Sequence, residues 1–180
     1  GTPTGGLGAI LTPTQTGEMS MDPHRWRLDG HLALVTGGSA GIGRAIAREL
    51  TGFGATVLVV ARNGDALEAA RDELADEFPA GDIRAFIGDV SDDEQRREVL
   101  DWVEDQGEGL NILVNNAGGN LTRGANDYEE DEWREIFEVN VFSAFELCRY
   151  AHPLLTQHAA SCIVNVGSVS GITHVRSGAP

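Results

Sequence analysis

The sequence predicts an α/β fold, a parallel sheet wound on both faces by helices. Short apolar runs of four to six residues recur from His31 onward, and each ends in glycine or a polar turn. Stretches of helical periodicity separate these runs. Strands that are apolar throughout must be covered on both faces. Right-handed crossovers then force a doubly wound layout, with ligands beyond the carboxyl ends of the strands.

The first strand, Leu32 to Val35, closes at Thr36-Gly37-Gly38, and a helix follows through Ile42, Ile46 and Leu50 until Gly52 and Gly54 end it. Val57 to Val60 is the second strand. Asp65 to Phe78 is the second helix, with Leu67, Leu74 and Phe78 on one face and Pro79 and Gly81 as its stop. Ile83 to Ile87 is the third strand, and Ser91-Asp92-Asp93-Glu94 has the form of a capping box opening a third helix through Val99 and Val103. Asn111 to Val114 is the fourth strand. Asp127-Tyr128-Glu129-Glu130 is a second capping-box pattern, opening a long helix to about Leu155. Cys162 to Val166 is the fifth strand.

The 180 residues suit one domain, with 41% apolar and 23% charged residues. Residues 1–20 lack charge density, periodicity and aromatics, and are expected to be a tag or a disordered arm, with Met19 or Met21 as the natural start. They have no basic start and no long apolar stretch, unlike a signal peptide. The folded domain is expected over 21–180.

Thirteen basic and 28 acidic residues give a net charge of −15, which disfavours nucleic acid and anionic membrane as partners. No apolar run approaches the ~18 residues of a membrane span. A small anion remains compatible, because local backbone dipoles can outweigh a distant net charge. Cys148 and Cys162 fit neither a disulfide framework nor zinc spacing, so a reducing, cytoplasmic setting is expected. The five histidines form no H-E-x-x-H or comparable pair, so no metal site is expected.

Thr36-Gly37-Gly38-Ser39-Ala40-Gly41-Ile42-Gly43 lies between the first strand and the first helix. Its glycines allow a sharp turn and close approach of a pyrophosphate, and the helix start offers unpaired N–H groups. Three residues separate Gly37 from Gly41, which departs from G-x-G-x-x-G; a turn that merely tightens strand–helix packing is the alternative. The second strand ends in Val60-Ala61-Arg62-Asn63, with no carboxylate to bond a ribose 2′-hydroxyl. Arg62 offers a planar fork to a 2′-phosphate, which favours NADP(H) over NAD(H), unless it is a surface arginine or pairs with Asp65.

With these residues placed, the chain resembles the classical short-chain dehydrogenase/reductase family from about Arg25 to its last residue. Thr36-Gly37-x-x-x-Gly41-x-Gly43, with Ser39 and Ile42 inside it, resembles the family's cofactor loop. Asp89-Val90 follows the third strand, where the family contacts adenine. Asn115-Asn116-Ala117-Gly118 follows the fourth and resembles the segment that lines the cofactor and steadies the sheet. Ser168 follows the fifth, at the place of the catalytic serine. Arg25-Trp26-Arg27-Leu28-x-Gly30 and His152-Pro153-Leu154-Leu155 are similar to tropinone-reductase-like members. The resemblance implies a Rossmann-type, NADP-binding domain and hydride transfer between nicotinamide and a carbonyl or secondary alcohol. A catalytically silent dinucleotide-binding or redox-sensing module is the other reading.

The long helix carries Trp133, Ile136, Phe137, Asn140, Ala144, Leu147, Cys148 and Ala151 at spacings of three and four. Asn140 is therefore expected in the apolar stripe as an amide that must find partners. It could serve loop backbone groups alone; the resemblance implies a helix kink and a water in the proton path. Val141, Phe142 and Phe145 form a second apolar line, to be covered by the fold's own loops or by another subunit, and the resemblance implies a homodimer or homotetramer. The Ser168 hydroxyl can donate to a substrate carbonyl, although Ser170 and Gly171 also mark a turn. His174, Val175 and Arg176 are expected to border the pocket, with Arg176 favouring an acidic substrate or lying on the surface.

The resemblance further implies a tyrosine thirteen residues beyond Ser168, one position past Pro180, and a lysine four beyond that. The chain contains no lysine, and Tyr128 and Tyr150 lie outside the matching segment. The domain is thus expected to be incomplete at its C-terminus, and these 180 residues alone to be inactive, with an apolar edge and face exposed.

Overall fold

Five apolar segments form one parallel sheet: β1 (Leu32–Thr36), β2 (Thr56–Ala61), β3 (Asp82–Ile87), β4 (Ile112–Asn115) and β5 (Cys162–Asn165). Their order is β3-β2-β1-β4-β5. This computed structural model describes residues 12–13, 19–20, 23–107, 109–124 and 126–171. Thr12–Pro13 pairs antiparallel with Met19–Ser20; the other expectations for residues 1–20, and those for Met21, His174, Val175 and Arg176, lie outside the described residues.

Side chains alternate across a strand. Leu32, Leu34, Leu58 and Val60 therefore pack on one face, beneath α3 (Asp93–Glu104) and α5 (Ser143–Leu155). Ala33, Val35, Val57 and Val59 pack on the other, beneath α1 (Gly41–Gly52) and α2 (Gly64–Glu77). The expected doubly wound layout is thus present. The chain leaves β1 for β2 on one side and later returns to place β4 on the other, so the tips of β1 and β4 flank the switch point where such sheets hold ligands.

The helices differ in detail from expectation. The face of α1 that meets the sheet is Gly43, Ala47 and Thr51, three small residues that let helix and strands approach closely; Ile46 and Leu50 pack against the same core as expected, while Ile42 points outward and is 63% exposed. The start of α2 is capped by Asn63, whose side chain accepts from the Ala66 N–H at 3.0 Å. The cap of α3 is Asp92, which accepts from the Gln95 N–H at 2.9 Å. Ser91 turns back instead, its hydroxyl donating to Asp89 at 2.7 Å.

The expected long helix is three pieces: α4 (Glu130–Phe137), a π turn over Glu138–Phe142, and α5. It begins at Glu130, not at Asp127, with the Glu132 carboxylate accepting from the Glu129 N–H at 3.0 Å. Within the π turn Asn140 donates to the Ile136 carbonyl at 2.8 Å, and just after it the Ser143 hydroxyl donates to the Val139 carbonyl at 2.7 Å. Such side-chain bonds compete with the regular ladder and mark where it widens. The outer strand β5 is exposed along its length, with Ile163 and Val164 open.

Candidate functional site

The turn after β1 is built around Thr36. Its hydroxyl accepts the N–H groups of Asn116 and Ala117, both at 3.0 Å, and donates to the Val114 carbonyl at 3.3 Å. Asn116 answers with its amide, donating to the carbonyls of Thr36 at 2.9 Å and Gly37 at 3.3 Å. The tips of β1 and β4 are thereby locked together. Asn115 locks β4 to β5 in the same way, donating to Asn165 at 2.8 Å.

Glycine is required at Gly37, Gly38 and Gly43; a Cβ on Gly38 would lie 2.8 Å from the Val59 side chain. Gly37 has φ +67°, and a Cβ on it would lie 2.8 Å from the Asn116 amide and 3.0 Å from the Ala117 Cα. Gly43, in the first turn of α1, faces the Gly37 carbonyl and the Asn116 amide so closely that a methyl has no room. The turn therefore runs with no side chain between the loop and the helix start.

That helix start is open to an anion. Ala40, the N-cap of α1, supplies no side-chain acceptor, and the first turn carries no acidic residue. By contrast, α2 and α3 are capped by Asn63 and Asp92 and carry Asp65, and Asp93 with Glu94, in their first turns. The orphan N–H groups of α1 keep their positive potential for a ligand.

A cleft of about 370 Å³ runs along the strand tips. Gly37 and Ser39 line it from the turn, Arg62 from the end of β2, Asp89 and Val90 from the end of β3, and Asn116, Ala117 and Gly118 from the end of β4. Eight residues predicted from the sequence thus meet at one place. Thr36 lies buried beneath them, and Gly41, Ile42 and Gly43 form the helix start beside them. Ala40, Val60, Ala61, Asn63, Gly88 and Val139 also line the cleft and were not anticipated. Four of the six stand beside a predicted residue in sequence, and Val60 two before Arg62, which was the available signal; Val139 comes from the π turn and carried none. Arg62 pairs with Asp89 at 3.5 Å and not with Asp65; the side chain is 61% exposed and free to swing toward a ligand phosphate.

Asn140 is placed differently from expectation, while Ser168 follows β5 at the turn where the sequence put it. Asn140 is exposed, not buried, because the π turn rotates it out of the α4–α5 stripe. Its amide donates to the carbonyls of Gly119, at 2.6 Å, and Ile136, and its oxygen accepts the Gly119 N–H at 3.2 Å. Both donors are used, so only a second lone pair on Oδ1 remains for a water. Ser168 is exposed and outside the cleft lining, and its oxygen accepts the Ser170 N–H at 3.1 Å in a local turn. Among the described residues no acceptor takes its own proton, which can donate. The Tyr150 hydroxyl is held 3.3 Å from Arg97 and 3.5 Å from Asp93 on the α3–α5 face, and the Tyr128 hydroxyl donates to the Leu121 carbonyl. Neither tyrosine lines the cleft.

The residues present fit a dinucleotide: a glycine cradle that a Cβ would fill, an uncapped helix start for the pyrophosphate, and an arginine and an aspartate flanking the far end.

A family model described as short chain dehydrogenase matches residues 31–180. A tropinone reductase homolog of Arabidopsis thaliana is 40% identical over 162 residues, covering 89% of this chain and 59% of the relative, so the chain spans about three-fifths of that relative's length. Among solved structures, a metagenomic short-chain oxidoreductase in complex with NADP superposes with a TM-score of 0.79 at 31% identity, over 84% of this chain and 68% of that one. The Pseudomonas aeruginosa RhlG/NADP active-site complex gives a TM-score of 0.79 at 34% identity, over 88% and 62%.

Proposed function

This chain belongs to the short-chain dehydrogenase family, and from that premise we propose that it acts as an NADPH-dependent oxidoreductase on a carbonyl or secondary alcohol. The observation that carries this reading is the side-chain-free cradle joined to the uncapped start of α1. Main-chain amides of the Ser39–Gly43 turn hold the pyrophosphate, Arg62 takes the 2′-phosphate, and Asp89 and Val90 flank the adenine. Asn116, Ala117 and Gly118 line the path toward the nicotinamide, which when bound supplies or accepts the hydride. Ser168 donates its free hydroxyl proton toward the substrate oxygen. Asn140 holds the loop at Gly119 against the π turn, and its remaining lone pair can receive a water of the proton path. The NADP complexes among similar structures support the choice of cofactor.

Titration with NADPH and NADH tests the reading. NADPH is expected to bind more tightly, and Arg62→Ala to weaken it by about tenfold, with little change for NADH, since one charge-assisted bond to an exposed group is lost. A tenfold preference for NADH overturns the role of Arg62. Folded protein that binds neither nucleotide overturns the function.

Val141, Phe142 and Phe145, with Phe137, present exposed apolar side chains on the π turn and its flanking helices. This favours a homodimer or homotetramer through that face, since such patches mark association sites. Phe145→Glu, at a position 62% exposed, is expected to reduce the mass measured by light scattering to that of a smaller assembly while leaving the thermal melt in place. An unchanged mass moves the interface elsewhere. Cys148 and Cys162 are free thiols, which supports a reducing, cytoplasmic location.

A further inference from the structure

Arg96 occupies the apolar stripe of α3 with Val99, Leu100 and Val103, and its side chain is only 4% exposed. A guanidinium in such a place must be paired or it destabilises the fold. Nη1 donates to the Val90 carbonyl at 2.8 Å and stands 3.7 Å from Glu138 of the π turn. Nη2 lies 3.1 Å from Glu146 of α5 and 3.7 Å from Asp93 of α3 itself. Val90, and Val139 next to Glu138, both line the cleft. One buried fork therefore ties together two chain segments, far apart in sequence, that supply walls to the same site.

We propose that Arg96 is a positioning residue, whose fork holds the Asp89–Val90 turn against the π turn carrying Val139 and Asn140 and so sets the shape of the cleft. The inference rests on the cleft's being a dinucleotide site. Fold stability alone does not account for an arginine here. A buried ion network is often no more stable than apolar side chains of similar volume, and Nε is left without a partner. What the planar fork adds is bonding in two fixed directions at once, which neither an apolar chain nor the point charge of lysine provides.

NADPH titration and thermal melting of the whole chain, for wild type and the variants Arg96→Met, Arg96→Lys and Glu138→Gln, test this. Arg96→Met, which removes one partner from a buried ion network and leaves Glu146 and the Val90 carbonyl without it, is expected to lower the melting temperature and, in protein still folded at the assay temperature, to weaken NADPH on the order of tenfold, the scale of a displaced binding wall. Arg96→Lys is expected to remain weak despite its charge. Glu138→Gln, which alters a half-exposed partner and leaves the core intact, is expected to lose about threefold. If Arg96→Met does not fold, Glu138→Gln decides. The proposal is overturned by folded Arg96→Met binding NADPH as wild type does, by full rescue with lysine, by an affinity loss that merely tracks the unfolded fraction, or by unaltered binding in Glu138→Gln. A wild type that binds neither nicotinamide nucleotide overturns the dinucleotide reading instead.

Discussion

Gly43→Ala is expected to abolish measurable NADPH binding, with a loss of affinity on the order of a hundredfold or more, about 2.7 kcal/mol. The added methyl would press on the Gly37 carbonyl and the Asn116 amide. Neither can yield cheaply: Gly37 is held in its φ +67° conformation, and Asn116 is bonded to Thr36 and Gly37. The first turn of α1 must therefore swing away, taking its anion-binding N–H groups out of register with the turn. Overpacking of this kind also lowers stability by about 1–3 kcal/mol. Gly41→Ala is the informative contrast. A Cβ there meets nothing within 4 Å, so only the strain of φ +55° is felt, a cost of roughly 1–2 kcal/mol. Fluorescence titration with NADPH, alongside urea unfolding, separates the two variants. Wild-type affinity in folded Gly43→Ala would remove the cradle as the seat of the pyrophosphate.

Much of this site was legible because its chemistry lies at strand tips. An apolar run ending in Thr36-Gly37 or in Asn115-Asn116 announces both an element and its carboxyl end, and a parallel sheet brings those ends to one edge. What escaped depended on contacts between distant segments. The widening of the helix at Glu138–Phe142 coincides with Asn140 bonding both Ile136 and Gly119, the latter 21 residues away, and a local periodicity cannot register that distant contact. The outward rotation of Asn140 follows from the same turn. Arg62 had Asp65 as its near neighbour in sequence, yet β2 and β3 run side by side and bring Asp89 to it. Arg96 did leave a trace, a charged residue in line with Val99 and Val103. Arginine is so rarely buried that the spacing reads first as a solvated edge of the helix.

Thr36→Val is expected to be the most destabilising conservative change in the site, lowering unfolding free energy by about 2–4 kcal/mol. Valine has nearly the shape of threonine, so packing around the fully buried position is kept and the effect isolates the hydroxyl. That one oxygen accepts two N–H groups, of Asn116 and Ala117, at the tip of β4. Valine leaves both without their acceptor in a half-buried loop, and a donor stranded in this way costs about 1–3 kcal/mol. A marginally stable domain has only about 5–15 kcal/mol to lose, so the urea midpoint should fall visibly. The loop Asn116–Gly118 should loosen with it, so NADPH affinity is expected to fall as well. Thr36→Ser keeps the oxygen and removes only a methyl, worth about 1 kcal/mol, and should retain most of the stability and binding. Equal losses in the valine and serine variants would assign the role of Thr36 to packing, and the link between the tips of β1 and β4 would have to rest on Asn116 alone.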